Sequence, residues 1–380
     1  MTHIHWTEAG QIRSAHWRAA STSSPPKRVI VADDTMTADA AIRLASEGTA
    51  LLWRGDFQNA RQLVQAMARR IERRSDHRSD HKSRKAKPAA SPAEAFHLHR
   101  QAQSQRARIL GMVLLPFEAD YRIPLRRAPD VRQACEEAWG PAQESAVASL
   151  RELLGIVGAH EWRKKGVEIA ALGARIHPYY GVFSPVRGEY VELVAQAPLP
   201  AKTLAFDIGT GTGVLAALLA KRGVARVIAT DQDERALACA RENIERLGMQ
   251  SKVELLPADL FPPGRAPLVV CNPPWVPARP SSAIEQALYD PDSRMLHGFL
   301  DGLAAHLEPG GEGWLILSDL AEHLGLRPRE ELLAWIAAAG LQVIGKLDTR
   351  PQHAKAFDAN DPLHAARAAE VTSLWRLAAA

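Results

Sequence analysis

Four residues carry the strongest chemical signal in this 380-residue chain: Asn272-Pro273-Pro274-Trp275, directly after the apolar run Val269-Val270-Cys271. A strand of that composition delivers Asn272 at its end. The two prolines fix the following backbone and remove its N–H donors, so carbonyl oxygens are left with no donor competing beside them. The Asn272 side-chain oxygen and the Pro273 carbonyl can then accept both hydrogens of one –NH2 group. An amide or aromatic amine has its nitrogen lone pair delocalised. Two acceptors on its hydrogens favour the geometry in which that lone pair turns toward an electrophile, and the gain grows as positive charge develops on nitrogen. Trp275 can stack on a planar acceptor, a contact worth roughly 1–3 kcal/mol for a base. No strong base is needed and none is evident. Alignment supplies most of the acceleration, within the roughly 7–11 kcal/mol that proximity allows. The bland alternative is a Pro-Pro turn beside a core tryptophan, and what precedes the turn weighs against it.

Upstream lies a glycine loop, Asp207-Ile208-Gly209-Thr210-Gly211-Thr212-Gly213, after the apolar Thr203-Leu204-Ala205-Phe206. A strand, a glycine turn and a helix place backbone N–H groups at the carboxyl edge of a sheet, where such sheets bind ligands. Glycines at 209, 211 and 213 let a ligand approach the backbone closely. The stretch Gly211-x-Gly213-x-x-Ala216 also fits a dinucleotide fingerprint. NAD is therefore the competing cofactor to S-adenosylmethionine (SAM). Asp207 tilts against NAD: a carboxylate accepts from a cationic amino-acid ligand, or holds the loop, and repels a pyrophosphate. Asp231, closing the next strand, is placed to bind ribose hydroxyls of either cofactor. Asp233 is more simply a helix cap. Asp259 sits where a carboxylate could accept from an adenine amino group, with turn capping of Leu260-Phe261-Pro262 as its alternative.

The elements that must position these residues are legible in outline. Strands are expected at Thr203–Phe206, Arg226–Ala229, Val253–Leu256, Leu268–Val270, Trp314–Leu317, Leu341–Ile344 and Val371–Leu377. They alternate with helices at Val214–Arg222, from Asp233 to Leu247, and at Arg327–Ala339, which predicts a parallel sheet with right-handed crossovers. Residues 1–74 read as a small α/β unit, with strands at Val29–Val31 and Ala50–Trp53, a helix over Ala38–Ser46, and a second helix from Asn59 carrying Leu63, Val64, Met67 and Ile71 on one face. Residues 75–93 have the composition of a basic flexible linker. Residues 94–175 are expected to be mostly helical, with a strand at Ile109–Leu115, helix over 131–157 broken near Gly140-Pro141, and a helix or hairpin over Trp162–Ile176. Residues 176–380 complete the α/β sheet.

The apolar and charged shares, 46% and 24%, are those of a globular chain with a sizeable core. The net charge of +4 is unevenly spread: Arg61 to Arg108 holds 13 Lys/Arg against 4 Asp/Glu, a local excess of +9 that leaves about −5 elsewhere. Such a patch suits a polyanionic partner, with a solvated basic helix as the alternative. Three cysteines, none in a CxxC pair, fit reduced thiols rather than a disulfide framework. The histidines accompany no HExxH or Cys/His ligand set, so no metal is expected. No apolar run reaches the roughly 18 residues of a membrane span, and no signal h-region is present. The expectation is a soluble, cytoplasmic protein with no membrane partner.

Taken together, the chain resembles the class I SAM-dependent methyltransferases of the HemK-like and RsmC-like small-domain type. The resemblance covers about Ile176 to Ala380 and rests on Asp-Ile-Gly-Thr-Gly-Thr-Gly, Asp231, Ala258-Asp259-Leu260-Phe261 and Asn-Pro-Pro-Trp. Upstream, the stretch from Tyr180 through Pro185-Val186-Arg187-Gly188-Glu189 is similar to the segment before the SAM loop in glutamine methyltransferases, while Gly181-Val182-Phe183-Ser184 resembles ribosomal RNA guanine enzymes. The resemblance implies a Rossmann-like seven-stranded methyltransferase sheet with an N-terminal α/β-plus-helical accessory region. It implies that Gly209 to Gly213, Asp231 and Leu260 line a SAM site and that Asn272 through Trp275 hold the acceptor. The fourth motif residue departs from the pattern: glutamine enzymes usually carry Tyr there and guanine enzymes Phe. The segment 348–370 is long and polar, and the N-terminal half matches neither family well.

The resulting expectation is a SAM-dependent N-methyltransferase acting on a planar nitrogen of a macromolecule, with a nucleobase of RNA or DNA favoured and a protein glutamine as the alternative. Two further classes stand behind it: an NAD-dependent oxidoreductase, for which no acid/base residue is identifiable, and a non-catalytic RNA-binding protein.

Overall fold

The computed structural model describes residues 2–19, 24–82, 91–186, 188–279, 288–351, 358 and 361–380, with side chains left undescribed from 74 to 82. It divides into two compact units, one made of residues 1–90 and 97–161, the other of 91–96 and 162–380.

The first unit is built on a six-stranded sheet. Its strands are β1 (His3–Glu8), β2 (Gln11–Arg18), β3 (Arg28–Ala32), β4 (Thr49–Trp53), β5 (Val113–Phe117) and β6 (Ala146–Ser149), in the order β1-β2-β6-β5-β4-β3. The β1–β2 hairpin turns at Ala9-Gly10, both at positive φ, as a two-residue hairpin loop requires. Along β1 only Ile4 and Trp6 face inward, alternating with outward polar residues. β3, β4 and β5 run parallel, and β6 is antiparallel to β5. The helix Ala38–Ser46, capped by Thr37, and the helix Phe57–Lys82 cover this sheet with Ala41, Ile42, Leu63, Val64 and Met67.

This organisation corrects the expected division into an α/β unit, a linker and a helical domain. β5 and β6 lie within residues 94–175, yet they pair into the same sheet as β1–β4. The short run Ala146-Val147-Ala148-Ser149 has helix-forming alanines, and pairing with β5 and burial of all four residues override that propensity. Ile109 and Leu110 end a helix, Pro92–Leu110, and the strand begins only past Gly111. Of the expected linker, residues 75–82 continue the second helix and 83–90 lie outside the described residues.

The second unit opens with the hairpin β7 (Val167–Ile169) and β8 (Ala174–Ile176). Its main sheet contains β9 (Leu204–Ile208), β10 (Arg226–Asp231), β11 (Val253–Pro257), β12 (Ala266–Cys271), β13 (Leu307–Ser318), β14 (Leu341–Thr349) and β15 (Thr372–Ala379). The spatial order is β11-β10-β9-β12-β13-β15-β14. All neighbours are parallel except β15, which runs antiparallel to both β13 and β14, so the expected fully parallel sheet is corrected at its last strand. One face is packed by helices Glu189–Gln196 and Val214–Lys221, with Tyr190, Val194, Leu215 and Leu219 in its core. The other is packed by Arg294–His306 and Arg329–Ala338, with Leu296, Phe299, Leu300 and Ile336.

The strand order decides where a ligand can sit. From β9 the chain moves outward through β10 and β11, then returns to the opposite side of β9 as β12. The reversal point lies between β9 and β12, and crevices at such points, outside the carboxyl ends of the strands, are where open α/β sheets bind ligands.

Candidate active site

β9 and β12 pair with Ile208 opposite Cys271. The glycine loop and the Asn-Pro-Pro-Trp turn therefore begin side by side at the carboxyl ends of adjacent strands, although far apart in sequence.

The loop is held from three directions. Gly209, Gly211 and Gly213 all have positive φ. The Thr210 amide donates to the Thr230 carbonyl at 2.8 Å, tying the loop to β10. Asp207 is buried beneath it: its Oδ2 accepts from the Thr210 hydroxyl at 2.7 Å and from the Ala216 amide at 3.0 Å, in the first turn of the following helix. Burial pushes its carboxyl up to about 6; those two hydrogen bonds partly offset the rise and the nearby Asp231 adds to it. Thr212 offers its carbonyl to the buried Asn243 amide at 3.1 Å, and the Asn243 side chain also accepts from the His177 amide at 2.8 Å. Asn243 thereby staples the segment after β8 to the glycine loop, a role its place in a helix pattern did not suggest.

Asp231 ends β10. Its Oδ2 accepts from the Gly211 amide at 3.0 Å and its Oδ1 from the Asp233 amide at 3.0 Å. Burial again raises this carboxyl, against those two amides. Asp233 caps the helix Glu234–Arg246 by accepting from the Arg235 amide at 2.9 Å. Asp259 follows β11 and forms a largely exposed ion pair with Arg294 at 2.7 Å. Leu260 has positive φ, its carbonyl accepts from the Thr230 hydroxyl, and its side chain lies over Gly298.

On the turn side, Cys271 and Pro273 are buried and Asn272 is half-buried. Burial holds the Cys271 thiol well above its ordinary pKa, so it stays neutral. The Trp275 indole N–H donates to Asn272 Oδ1 at 2.9 Å, and its ring packs against all three apolar clusters of this unit. The buried Arg327 donates to the Trp275 carbonyl at 3.3 Å. Asp290, also buried, accepts from the Met295 and Leu296 amides at 3.0 and 3.1 Å and so fixes the start of the helix Arg294–His306. Neither Arg327 nor Asp290 was singled out from sequence. The cap-like Asp290-Pro291-Asp292-Ser293 before an apolar helix is the signal that marks the second.

The residues present fit SAM. A Cβ at Gly211 would meet nothing within 4 Å, so the loop presents open backbone there. Gly209 differs: the end of the Met295 side chain occupies the space an added Cβ would need, so that side chain forms a close wall. A buried carboxylate, Asp207, and a half-buried one, Asp231, beside an open glycine backbone suit a ligand with cationic and hydroxyl groups. Among the described residues no cluster of His, Cys, Asp or Glu could hold a metal ion, and no helix is long and apolar enough to cross a membrane. The three cysteines are free and buried. Arg187, part of the proline-arginine pattern, lies outside the described residues, as do 352–357 and 359–360 of the segment 348–370. Within that segment His364–Ala369 is helical and Glu370 is buried, accepting from Ser318 at 2.7 Å.

The chain is similar to known methyltransferases. Residues 175–328 match the family described as methyltransferase small domain. Over that segment the chain is similar to SAM-dependent methyltransferase domains. The domain is 36% identical over 161 residues to a release factor glutamine methyltransferase of Cereibacter sphaeroides, covering 38% of this chain and 55% of that protein. It is 32% identical over 178 residues to a ribosomal protein L11 methyltransferase of Pelotomaculum thermopropionicum, covering 45% of this chain and 55% of the other. The chain thus spans about half the length of the curated relatives it matches. A solved SAM-dependent methyltransferase of Thiobacillus denitrificans, in complex with S-adenosyl-L-homocysteine, aligns at TM-score 0.37 and 16% identity over 52% of this chain and 92% of that one.

Proposed function

We propose that the second unit transfers a methyl group from SAM to a planar –NH2 nitrogen of a macromolecule. The observation that carries this reading is the adjacency of the glycine loop and the Asn-Pro-Pro-Trp turn at the reversal point between β9 and β12. When bound, SAM supplies an electrophilic sulfonium methyl. The loop from Gly209 through Thr210, Gly211 and Thr212 to Gly213 offers it backbone, and Leu260 offers an apolar side chain. Asp231 accepts from the ribose hydroxyls, exchanging its present loop amide for them. Asp259 shares its carboxylate between Arg294 and the adenine amine. Asp207 keeps the loop and the helix start in place and adds negative charge beneath a cationic ligand. Asn272 Oδ1 and the Pro273 carbonyl accept the two hydrogens of the acceptor amine, and Pro274 keeps the turn free of a competing donor. With neutral acceptors only, the nitrogen keeps its protons until methylation has made them acidic. Titration calorimetry with SAM tests the cofactor half: micromolar-range binding is expected, and its absence, or its persistence unchanged in Asp231→Ala, ends the proposal.

Two acceptor classes fit. A nucleobase is supported by the excess of +9 between Arg61 and Arg108, because basic surface gives the salt-dependent affinity typical of nucleic-acid binding. A protein glutamine is supported by the release factor glutamine methyltransferases among the relatives. A cytoplasmic site of action is part of the proposal, because both substrate classes are met there. Tritiated SAM added to an extract from cells lacking this protein separates them. Label that nuclease releases, with substrate binding that weakens steeply with salt, supports the base; label in protein bands supports glutamine.

A further inference from the structure

The fourth residue of the turn carries chemistry that Tyr or Phe would not supply at that place. Trp275 Nε1 is a donor with no acceptor capacity, and it lies 2.9 Å from Asn272 Oδ1. A carboxamide has two ends of nearly equal size, one accepting and one donating. A donor-only neighbour can pair with the oxygen end alone. The indole itself is held at both ends of its residue: its ring by three apolar clusters, its carbonyl by Arg327.

We infer that Trp275 is a positioning residue that fixes which end of the Asn272 amide faces the acceptor. The inference rests on the turn's role as holder of the acceptor amine. Oδ1 has two lone pairs; the indole takes one, and the other remains for an acceptor N–H. Without the indole N–H the amide can turn over and present its own NH2, which repels the hydrogens it should accept. In this reading the tryptophan acts beneath the acceptor, through Asn272, and does not serve as a stacking lid.

The two roles separate in a double-mutant cycle. Trp275→Phe keeps an aromatic ring and removes the donor. Asn272→Asp has two equivalent oxygens and needs no orienting partner, though it has its own lower rate. Initial rates are measured with tritiated SAM and the RNA and protein fractions of an extract from cells lacking this protein. With Asn272 in place, Trp275→Phe is expected to lower kcat about tenfold, the size of one hydrogen bond, with SAM affinity and thermal midpoint unchanged. In the Asn272→Asp background the same change should alter kcat by less than about twofold. Equal losses in both backgrounds would indicate stacking and overturn the inference. A loss of SAM affinity or folding in Trp275→Phe would overturn it in favour of core packing.

A second measurement is independent of catalysis. In protein labelled with 15N at tryptophan, the indole resonance absent from Trp275→Phe belongs to Trp275. Its proton should exchange slowly with solvent, and it should shift and exchange faster in Asn272→Ala. An indole resonance indifferent to Asn272→Ala overturns the inference even if no methylated product is found; an inactive protein with a responsive indole overturns the proposed reaction instead.

Discussion

Asp207 offers the most direct test of how the glycine loop is built. Its side chain is buried, and its carboxyl is raised from an ordinary 3.8 to about 6, chiefly by loss of solvent. The sign follows from proton linkage. Between pH 4 and 6 the folded state keeps a proton on Asp207 that the unfolded chain has released, so stability falls as pH rises through that window. One pKa unit is worth about 1.4 kcal/mol, so the full effect approaches 3 kcal/mol, an upper bound because a buried site relaxes around its charge. Asp207→Asn removes the titration. Its side-chain oxygen can still accept from Thr210 and Ala216, which both meet the same oxygen of the native residue. The absolute stability of the variant depends on what its new NH2 finds; the slope does not. Urea midpoints at half-unit steps from pH 4 to 7 should show the native protein losing about 2–3 kcal/mol relative to the variant, complete near pH 7. A difference that stays flat across this range would refute the argument. A cationic cofactor favours the ionised carboxylate, so SAM affinity of the native protein should also rise between pH 5 and 7, and more steeply than that of Asp207→Asn, in which Asp231 alone is left with a raised carboxyl.

Three further outcomes are expected. Gly211→Ala places a methyl in open space at φ +56; strain of about 1–2 kcal/mol should leave the protein folded while SAM affinity in calorimetry falls at least tenfold. Gly213→Ala, at φ +80 with its Cβ 3.2 Å from that of Ala240, should lower the thermal midpoint more than Gly211→Ala does; the reverse order would contradict the assigned packing. Asp290→Ala strands the Met295 and Leu296 amides and should cost about 2–3 kcal/mol in urea unfolding, as expected for lost hydrogen bonds to a charged group. A cost under 1 kcal/mol would mean that water replaces the carboxylate there.

The second unit was legible because its signals are local and mutually consistent. Apolar runs ending in Asp207, Asp231 and Cys271 are strands, Asp233 is a cap, and Gly223 and Gly248 stop their helices. The first unit was less legible because its strands borrow their identity from partners. β1 holds only two inward apolar residues among histidines, and β6 is four residues of mostly small side chains whose place is set by pairing with β5. The hidden parts of the site are contacts between distant segments. Asn243 reaching both His177 and Thr212, or Arg327 reaching Trp275, follows from the sheet order, and no period or spacing encodes it. Antiparallel β15 escaped for a related reason: strand direction at the end of an alternating chain depends on which neighbour it joins.

Charge is divided across the reversal point in a way that bears on mechanism. On the loop side, Asp207 and Asp231 are both buried enough for their carboxyls to be raised, so a ligand bringing positive charge relieves a cost already present in the folded protein. On the turn side, the groups proposed to hold the acceptor, the Asn272 amide and the Pro273 carbonyl, are neutral. Among the described residues, three ionisable side chains of this region are engaged elsewhere: Asp290 by two amides at a helix start, Arg327 by the Trp275 carbonyl, and Cys271 by burial as a neutral thiol. In the proposed reaction, a turn with no base at hand among the described residues does not take a proton from nitrogen before the methyl arrives. It can only hold the hydrogens while the nitrogen becomes cationic, and that restricts it to acceptors nucleophilic enough without deprotonation once their lone pair is turned out of conjugation. Base amines and side-chain amides both meet that condition, which is why the choice between them falls to residues outside the turn.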